Sequence, residues 1–356
     1  MKQTKDIIFV TISMGGGGTE RVISLLANHY ASEGKKVAIL MIASDDVQYD
    51  INPAIEVISL SQATDGSLSK RIKRIGSMRK YFSKNKSNKI IAMGTVAAIF
   101  TLLSTIGLKR DIVISERNDP NRLNHKPISN KMKMVRNLLY RRANMIAVQT
   151  KDVIDALPEN LHNRCKVIPN PLSDSLPAAN IDGVRNKTVI SAGRLTEQKN
   201  HKLLIDAFHE FSNNNDYTLN IYGKGELESE LKNYVDSLNM SDRIHIMGFC
   251  DNLYEKLLSE GIYVSSSNWE GISNSLLEAL ALGIPTIATD CPVGGSRMFI
   301  NNMENGILIP VDDKQSLIDS LQQIASNNSL AKKLSVNASK IRDTLSVEKI
   351  AKLWLM

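Results

Sequence analysis

The chain of 356 residues is long for one hydrophobic core and suits two domains of ordinary size. With 42% hydrophobic and 23% charged residues it reads as globular, which excludes a disordered or fibrous chain, and three scattered cysteines (Cys165, Cys250, Cys291) without a C-x-x-C pair exclude a zinc or disulfide framework. The formal net charge of +7 and pI of about 9.1 point to an anionic partner.

In chain order, short apolar runs at 7–12, 36–42, 89–93, 112–115 and 145–148 predict strands, and longer amphipathic runs at 19–33, 68–84, 96–106 and 130–142 predict helices. That alternation implies a parallel sheet with helices on both faces. The uncharged stretch 90–108 is long enough to span a bilayer, yet it carries Gly94, Thr101, Ser104 and Gly107 and reads as a strand ending at a glycine before a buried helix. No acidic residue lies between Asp65 and Asp111, whereas Lys70, Arg71, Lys73, Arg74, Arg79, Lys80 and Lys84 crowd one segment. Leu68, Ile72, Ile75, Arg79 and Phe82 recur there at helical spacing, giving a basic amphipathic helix that is either a solvated face over the core or a membrane-surface element. A second basic stretch holds Lys131, Lys133, Arg136, Arg141 and Arg142. No aromatic-rich motif interleaves these charges, which argues against nucleic acid.

Pro169, Pro171, Pro177 and Gly183 mark residues 169–187 as a linker between an N-terminal domain, 1–168, and a C-terminal one, 188–345. Strands are predicted again at 188–192, 218–222, 244–247, 261–265, 285–289 and 306–309. A last helix at 346–356 is a candidate to cross back to the first domain. Two Rossmann-like α/β sheets in tandem are expected to face a central cleft, with ligands on the loops after the strands.

Three of those loops carry chemistry. Gly15, Gly16, Gly17 and Gly18 precede a helix and read either as an anion loop or as a plain tight turn, without the spacing of a dinucleotide or P-loop motif. Arg194 and Lys199 follow the first strand of the second half and read either as a fork and a point charge suited to a diphosphate or as incidental charges of a surface strand exit. Residues 265–285 run from a strand end through a polar loop bearing Glu270 into a helix near Asn274 or Ser275, with Glu278 in its first turns.

Gly193-Arg194 with Lys199-Asn200, Gly223-Lys224-Gly225, and Glu270 and Glu278 separated by seven residues resemble the family-four retaining glycosyltransferases of the GT-B type. The segments 115–120 and 290–295 look like the branch that builds O-antigen, capsule and related glycans. The resemblance implies that Arg194 and Lys199 hold a donor diphosphate with help from Gly16, Gly17, Gly223 and Lys224. It implies that Glu278 binds ribose hydroxyls, that Glu270 contacts the transferred sugar, and that Asn274, Ser275 and Leu276 contact the phosphates. Glu116 and Arg117 stand where many relatives carry a histidine near the donor sugar, after a strand of the N-terminal domain, and are counted among the substrate-binding candidates. The donor it implies is a nucleotide-diphosphate sugar, UDP-linked, and the acceptor a lipid-diphosphate-linked glycan; no further cofactor is expected. The expected location is cytoplasmic, at the anionic inner face of the membrane.

No Asp-x-Asp occurs and the six histidines lack metal-ligand spacing, so a metal-independent transfer is expected. A glycoside hydrolase has no use for the Arg194/Lys199 pair. A sugar-nucleotide epimerase of the same architecture and a non-catalytic membrane-surface scaffold are the alternatives.

Overall fold

The computed structural model describes residues 4–60, 68–123, 126–182, 185–250 and 253–356. Asp65 and Gly183, and the side chains of Leu68 and Lys70, lie outside the described residues. The chain forms two compact units: Met1–Ser173 with Leu345–Met356, and Asp174–Thr344.

The first unit runs β1 (Lys5–Thr11), α1 (Gly18–Ser32), β2 (Val37–Met41), β3 (Glu56–Ser59), α2 (Leu68–Lys84), β4 (Ser87–Met93), α3 (Thr95–Ser104) and β5 (Ile112–Glu116). A small hairpin, β6 (Arg122–Leu123) and β7 (Lys126–Pro127), leads to α4 (Asn130–Tyr140), β8 (Met145–Val148), α5 (Lys151–Asp155), α6 (Glu159–His162) and β9 (Cys165–Val167). Seven strands pair in the order β3-β2-β1-β4-β5-β8-β9, every pairing parallel. Ile7, Ile8, Phe9 and Val10 are all buried, as a central parallel strand covered on both faces requires. α3 is ten residues long with Ala97, Ala98 and Leu102 fully buried, so the uncharged stretch is a strand and an interior helix. Among the described residues no helix is long and apolar enough to cross a membrane.

The second unit runs β10 (Thr188–Ala192), a 3-10 turn (Glu197–Lys199), α7 (His201–Ser212), β11 (Thr218–Tyr222), α8 (Glu228–Ser237), β12 (Ile244–Gly248), α9 (Leu253–Ser259), β13 (Ile262–Ser265) and α10 (Asn274–Ala281). It continues through β14 (Thr286–Thr289), β15 (Ile307–Ile309), α11 (Lys314–Ser326) and α12 (Asn328–Ser339). Its parallel order is β12-β11-β10-β13-β14-β15. One core of Phe208, Phe211, Leu219, Ile221, Val264 and Leu321 lies under that sheet, each such side chain stabilising the fold by roughly 1.5–3 kcal/mol.

α13 (Val347–Leu355) belongs to the first unit: Trp354 is fully buried there and Tyr30 donates from its hydroxyl to the Ala351 carbonyl at 2.7 Å. The segment read as a linker is bonded down on both sides of Ser173. Leu172 N–H donates to the Leu345 carbonyl at 2.8 Å, while in the second unit Asn180 N–H donates to Leu282 and Arg342 holds the Leu176 and Pro177 carbonyls.

Two elements depart from the sequence pattern. In α2 the buried line is Met78 and Phe82, and Ile72 stands 62% exposed. Arg136, counted among the surface cations, is buried, donating to the Pro120 carbonyl and to Asn137 Oδ1.

Candidate active site

In a doubly wound sheet the crevice lies at the carboxyl ends of the strands where the winding reverses. In the second unit that point falls between β10 and β13, so the loops 193–200 and 266–273 meet there. They are stitched together: Asn268 N–H donates to the Gln198 carbonyl at 2.8 Å, Asn200 Nδ2 to Asn268 Oδ1 at 2.9 Å, and Ser266 Oγ to the Lys199 carbonyl at 2.9 Å. Asn200, left-handed at φ 44°, ends the 3-10 turn and caps α7 by accepting from Leu203 N–H.

This stitching joins two of the expected residues. Lys199 Nζ lies 2.5 Å from Glu270 Oε2, with side chains 13% and 15% exposed. Glu270 is fixed from behind by its N–H on the Pro292 carbonyl at 2.7 Å and by Val293 N–H on its own carbonyl. Arg194 is exposed just after β10, donating to Gln198 Oε1 at 3.3 Å. A Cβ on Gly193 would stand 2.9 Å from Lys199 Cε, so the missing side chain is what leaves room for the lysine stem.

α10 begins at Asn274 with Ser273 at the cap position, one residue before the expected cap. The Ser275 hydroxyl donates to the Ala192 carbonyl at 2.8 Å and accepts from Tyr263, so it locks the helix end to β10. What α10 offers an anion is therefore the backbone N–H groups of its first turn, at Asn274, Ser275 and Leu276, rather than that hydroxyl. Glu278 is buried, and Tyr254 donates to its Oε1 at 3.3 Å. Gly223 and Lys224 follow β11; Lys224 Nζ sits 5.9 Å from the ring centroid of Phe249, which is 60% exposed just beyond Gly248. Sequence reasoning passed over Phe249 and Tyr254, although an aromatic directly after a strand-ending glycine was the available signal for the first.

In the first unit the reversal falls between β1 and β4, and the glycine loop follows β1. Gly17 caps α1, its carbonyl accepting from Tyr49 OH at 2.8 Å, and a Cβ on it would overlap the Glu20 carboxylate. A Cβ on Gly16 would stand 2.7 Å from Gln48 Oε1. Arg117 donates to Asn170 Oδ1; burial lowers its pKa to about 10 against the opposing charge of Glu20. Glu116, expected among the substrate-binding residues, is an interior residue, 2% exposed. Thr95 Oγ1 donates to its Oε2 at 2.8 Å and Tyr140 OH to its Oε1, tying together β5, α3 and α4. Burial raises its pKa, opposed first by the Tyr140 hydrogen bond and then by the charge of Arg136.

His201 opens α7 beside the lysine and is 3% exposed, with no side-chain partner for either ring nitrogen among the described residues and the Arg194 backbone as the one group favouring its charged form. Burial, then the Lys199 charge, lowers its pKa to about 4. The unfolded chain, titrating near 6.5, therefore binds the extra proton first, and stability falls as pH drops from about 6.5 towards 4. Between pH 7 and pH 5 the loss expected from this residue is about 2 kcal/mol. Urea midpoints at the two pH values should show it, and His201→Leu should flatten the difference; an unchanged difference in the variant would remove the assignment.

The family model described as glycosyl transferases group 1 matches residues 177–341. A Campylobacter jejuni N-acetylgalactosamine-N,N'-diacetylbacillosaminyl-diphospho-undecaprenol 4-alpha-N-acetylgalactosaminyltransferase is 26% identical over 333 residues, 90% of each chain. A second from that organism, GalNAc-alpha-(1->4)-GalNAc-alpha-(1->3)-diNAcBac-PP-undecaprenol alpha-1,4-N-acetyl-D-galactosaminyltransferase, is 26% identical over 98% of this chain and 97% of that one. The crystal structure of Anabaena Alr3699/HepE in complex with UDP and glucose matches with a TM-score of 0.82 at 18% identity, covering 98% of both chains. The chain is a glycosyltransferase of the GT-B fold, and its second unit belongs to the group 1 glycosyl transferases.

Proposed function

We propose that the protein transfers a hexose or N-acetylhexosamine from a UDP-linked donor to a lipid-diphosphate-linked glycan, with retention at the anomeric carbon and without a metal ion. The observation that carries this reading is the Lys199–Glu270 pair at the winding reversal of the second unit, with Arg194 bonded to Gln198, the neighbour of Lys199, and the first turn of α10 held against β10. A donor diphosphate replaces the Glu270 carboxylate as the partner of Lys199, and Glu270 is released to accept from a sugar hydroxyl. Glu278 serves the ribose, and Phe249 offers the base a flat face.

As the bond from the anomeric carbon to the diphosphate lengthens, negative charge gathers on the leaving oxygen, where Lys199, Arg194 and the helix N–H groups meet it. The acceptor oxygen bonds to the anomeric carbon from the same face. Its proton passes to the departing phosphate oxygen, leaving a nucleoside diphosphate and the lengthened glycan. Support for the acceptor comes from the two Campylobacter jejuni relatives, whose names give undecaprenol-diphosphate acceptors, and for the donor from the UDP and glucose in Alr3699/HepE.

The test is to offer UDP-sugars with an undecaprenyl-diphosphate-linked saccharide in the presence of a chelator. Nucleotide release that depends on the acceptor, and an α-linked product, are expected. Conversion of the UDP-sugar to its epimer without acceptor, with no net nucleotide release, would favour epimerisation, and activity only with divalent cations, or an inverted product, would overturn the proposal.

A further inference from the structure

Gln198 stands in the middle of the 3-10 turn and is 1% exposed. A buried carboxamide has to satisfy a donor and an acceptor at once. Its Nε2 donates to the Trp269 carbonyl at 2.9 Å, and its Oε1 accepts from Arg194 Nη2 at 3.3 Å. The first bond fixes the second: turning the amide over would set its oxygen against the Trp269 carbonyl and its NH2 group against the guanidinium, losing both. Arg194 is exposed, and a long exposed side chain gives up rotamer freedom when a ligand stills it, so an arginine already held has less to lose. The holder is also neutral. Lys199 meets a carboxylate that opposes its charge, whereas the amide leaves the charge of Arg194 whole. Trp269 adjoins Glu270 and Gln198 adjoins Lys199, so one side chain sets Arg194 in register with both members of that pair.

We propose that Gln198 is a positioning residue for the transfer, presenting Arg194 with its charge intact to the distal phosphate of the nucleotide donor. It acts through the guanidinium and does not itself touch the diphosphate. The residue type follows from the two bonds. A glutamate here would cancel the Arg194 charge and bring an oxygen with no proton to donate against the Trp269 carbonyl. Methionine keeps the length of the side chain and makes neither bond. The stitching of the loops does not depend on this amide: Asn268 N–H bonds the main-chain carbonyl of Gln198 at 2.8 Å, and the Asn200–Asn268 and Ser266–Lys199 bonds bypass it. Gln198→Met should therefore keep the fold. The inference rests on the reading that Arg194 meets the leaving phosphate.

Affinities of the full chain for UDP and for UMP, which lacks the distal phosphate, are measured by titration calorimetry for the wild type, Gln198→Met, Arg194→Ala and the double variant. Gln198→Met should weaken UDP about fivefold to tenfold and UMP less than about twofold, shrinking the preference for the diphosphate. A merely structural role would weaken both ligands alike. The double variant should bind UDP within about twofold of Arg194→Ala, because the amide works through that guanidinium. Gln198→Glu should weaken UDP further than Gln198→Met does. Equal losses for UDP and UMP in Gln198→Met, or losses that multiply in the double variant, would overturn the proposal. If Arg194→Ala shrinks the preference and Gln198→Met leaves it whole, the role of Gln198 alone falls. If Arg194→Ala leaves it whole as well, or the wild type does not distinguish the two nucleotides, the assignment of Arg194 to the phosphate falls with it.

Discussion

Replacing Lys199 by alanine is expected to lower kcat/KM about 10²- to 10³-fold, roughly 3–4 kcal/mol of transition-state stabilisation, while the far-ultraviolet circular dichroism spectrum is kept. The ammonium lies 2.5 Å from Glu270 and only 13% of its side chain is exposed, so in a site closed over a donor its charge acts on the leaving phosphate with little screening. Alanine also leaves Glu270 with Ser267 Oγ, at 3.5 Å, as its remaining side-chain donor, and a carboxylate without its counter-charge then faces an incoming diphosphate. Donor affinity should therefore fall along with the rate. Glu270→Gln separates the two effects: it keeps the shape, frees Lys199 for the diphosphate, and should bind UDP at least as tightly while transferring the sugar more slowly. Lys199→Arg should recover only part of the loss, because Gly193 makes room for a slim stem and a planar fork is wider. Transfer by Lys199→Ala within threefold of wild type would remove this lysine from the reaction.

The residues of that pair were legible in the sequence, but the pair itself was not, since it joins positions 71 apart through a stitching of loops that no local pattern encodes. Strands covered on both faces, β1 and β10 among them, announced themselves as continuous apolar runs. The edge strands β3 and β9 did not: β3 is mostly exposed and β9 only half-buried, so neither needs such a run. Glu116 was misread for a related reason. A carboxylate after a strand looks the same in sequence whether it opens to a ligand or is claimed by Thr95 and Tyr140 from two other elements. In α2 helical spacing put Ile72 on the inner face, whereas Met78 and Phe82 meet the core and leave it outside.

Gly223→Ala is expected to lower the first melting transition by about 5–15 °C, from a cost of roughly 2–5 kcal/mol. Two terms add. Gly223 has φ +150°, a conformation that side chains with a Cβ seldom adopt, and a Cβ there would overlap the Gly193 carbonyl. The second term is the informative one, because Gly193 carries the chain into Arg194 and flanks the stem of Lys199. Relief of the overlap has to move that strand exit, so transfer should fall at least tenfold even well below the melting temperature. Gly248→Ala provides the comparison: it has φ +73° but nothing within 4 Å of the added carbon, so it carries strain of about 1–2 kcal/mol and no collision. It should melt a few degrees early and transfer at close to the wild-type rate. If the two variants lost equal activity, backbone strain alone would account for both, and the close approach of β11 to the Gly193 turn would have no part in setting the cations in place.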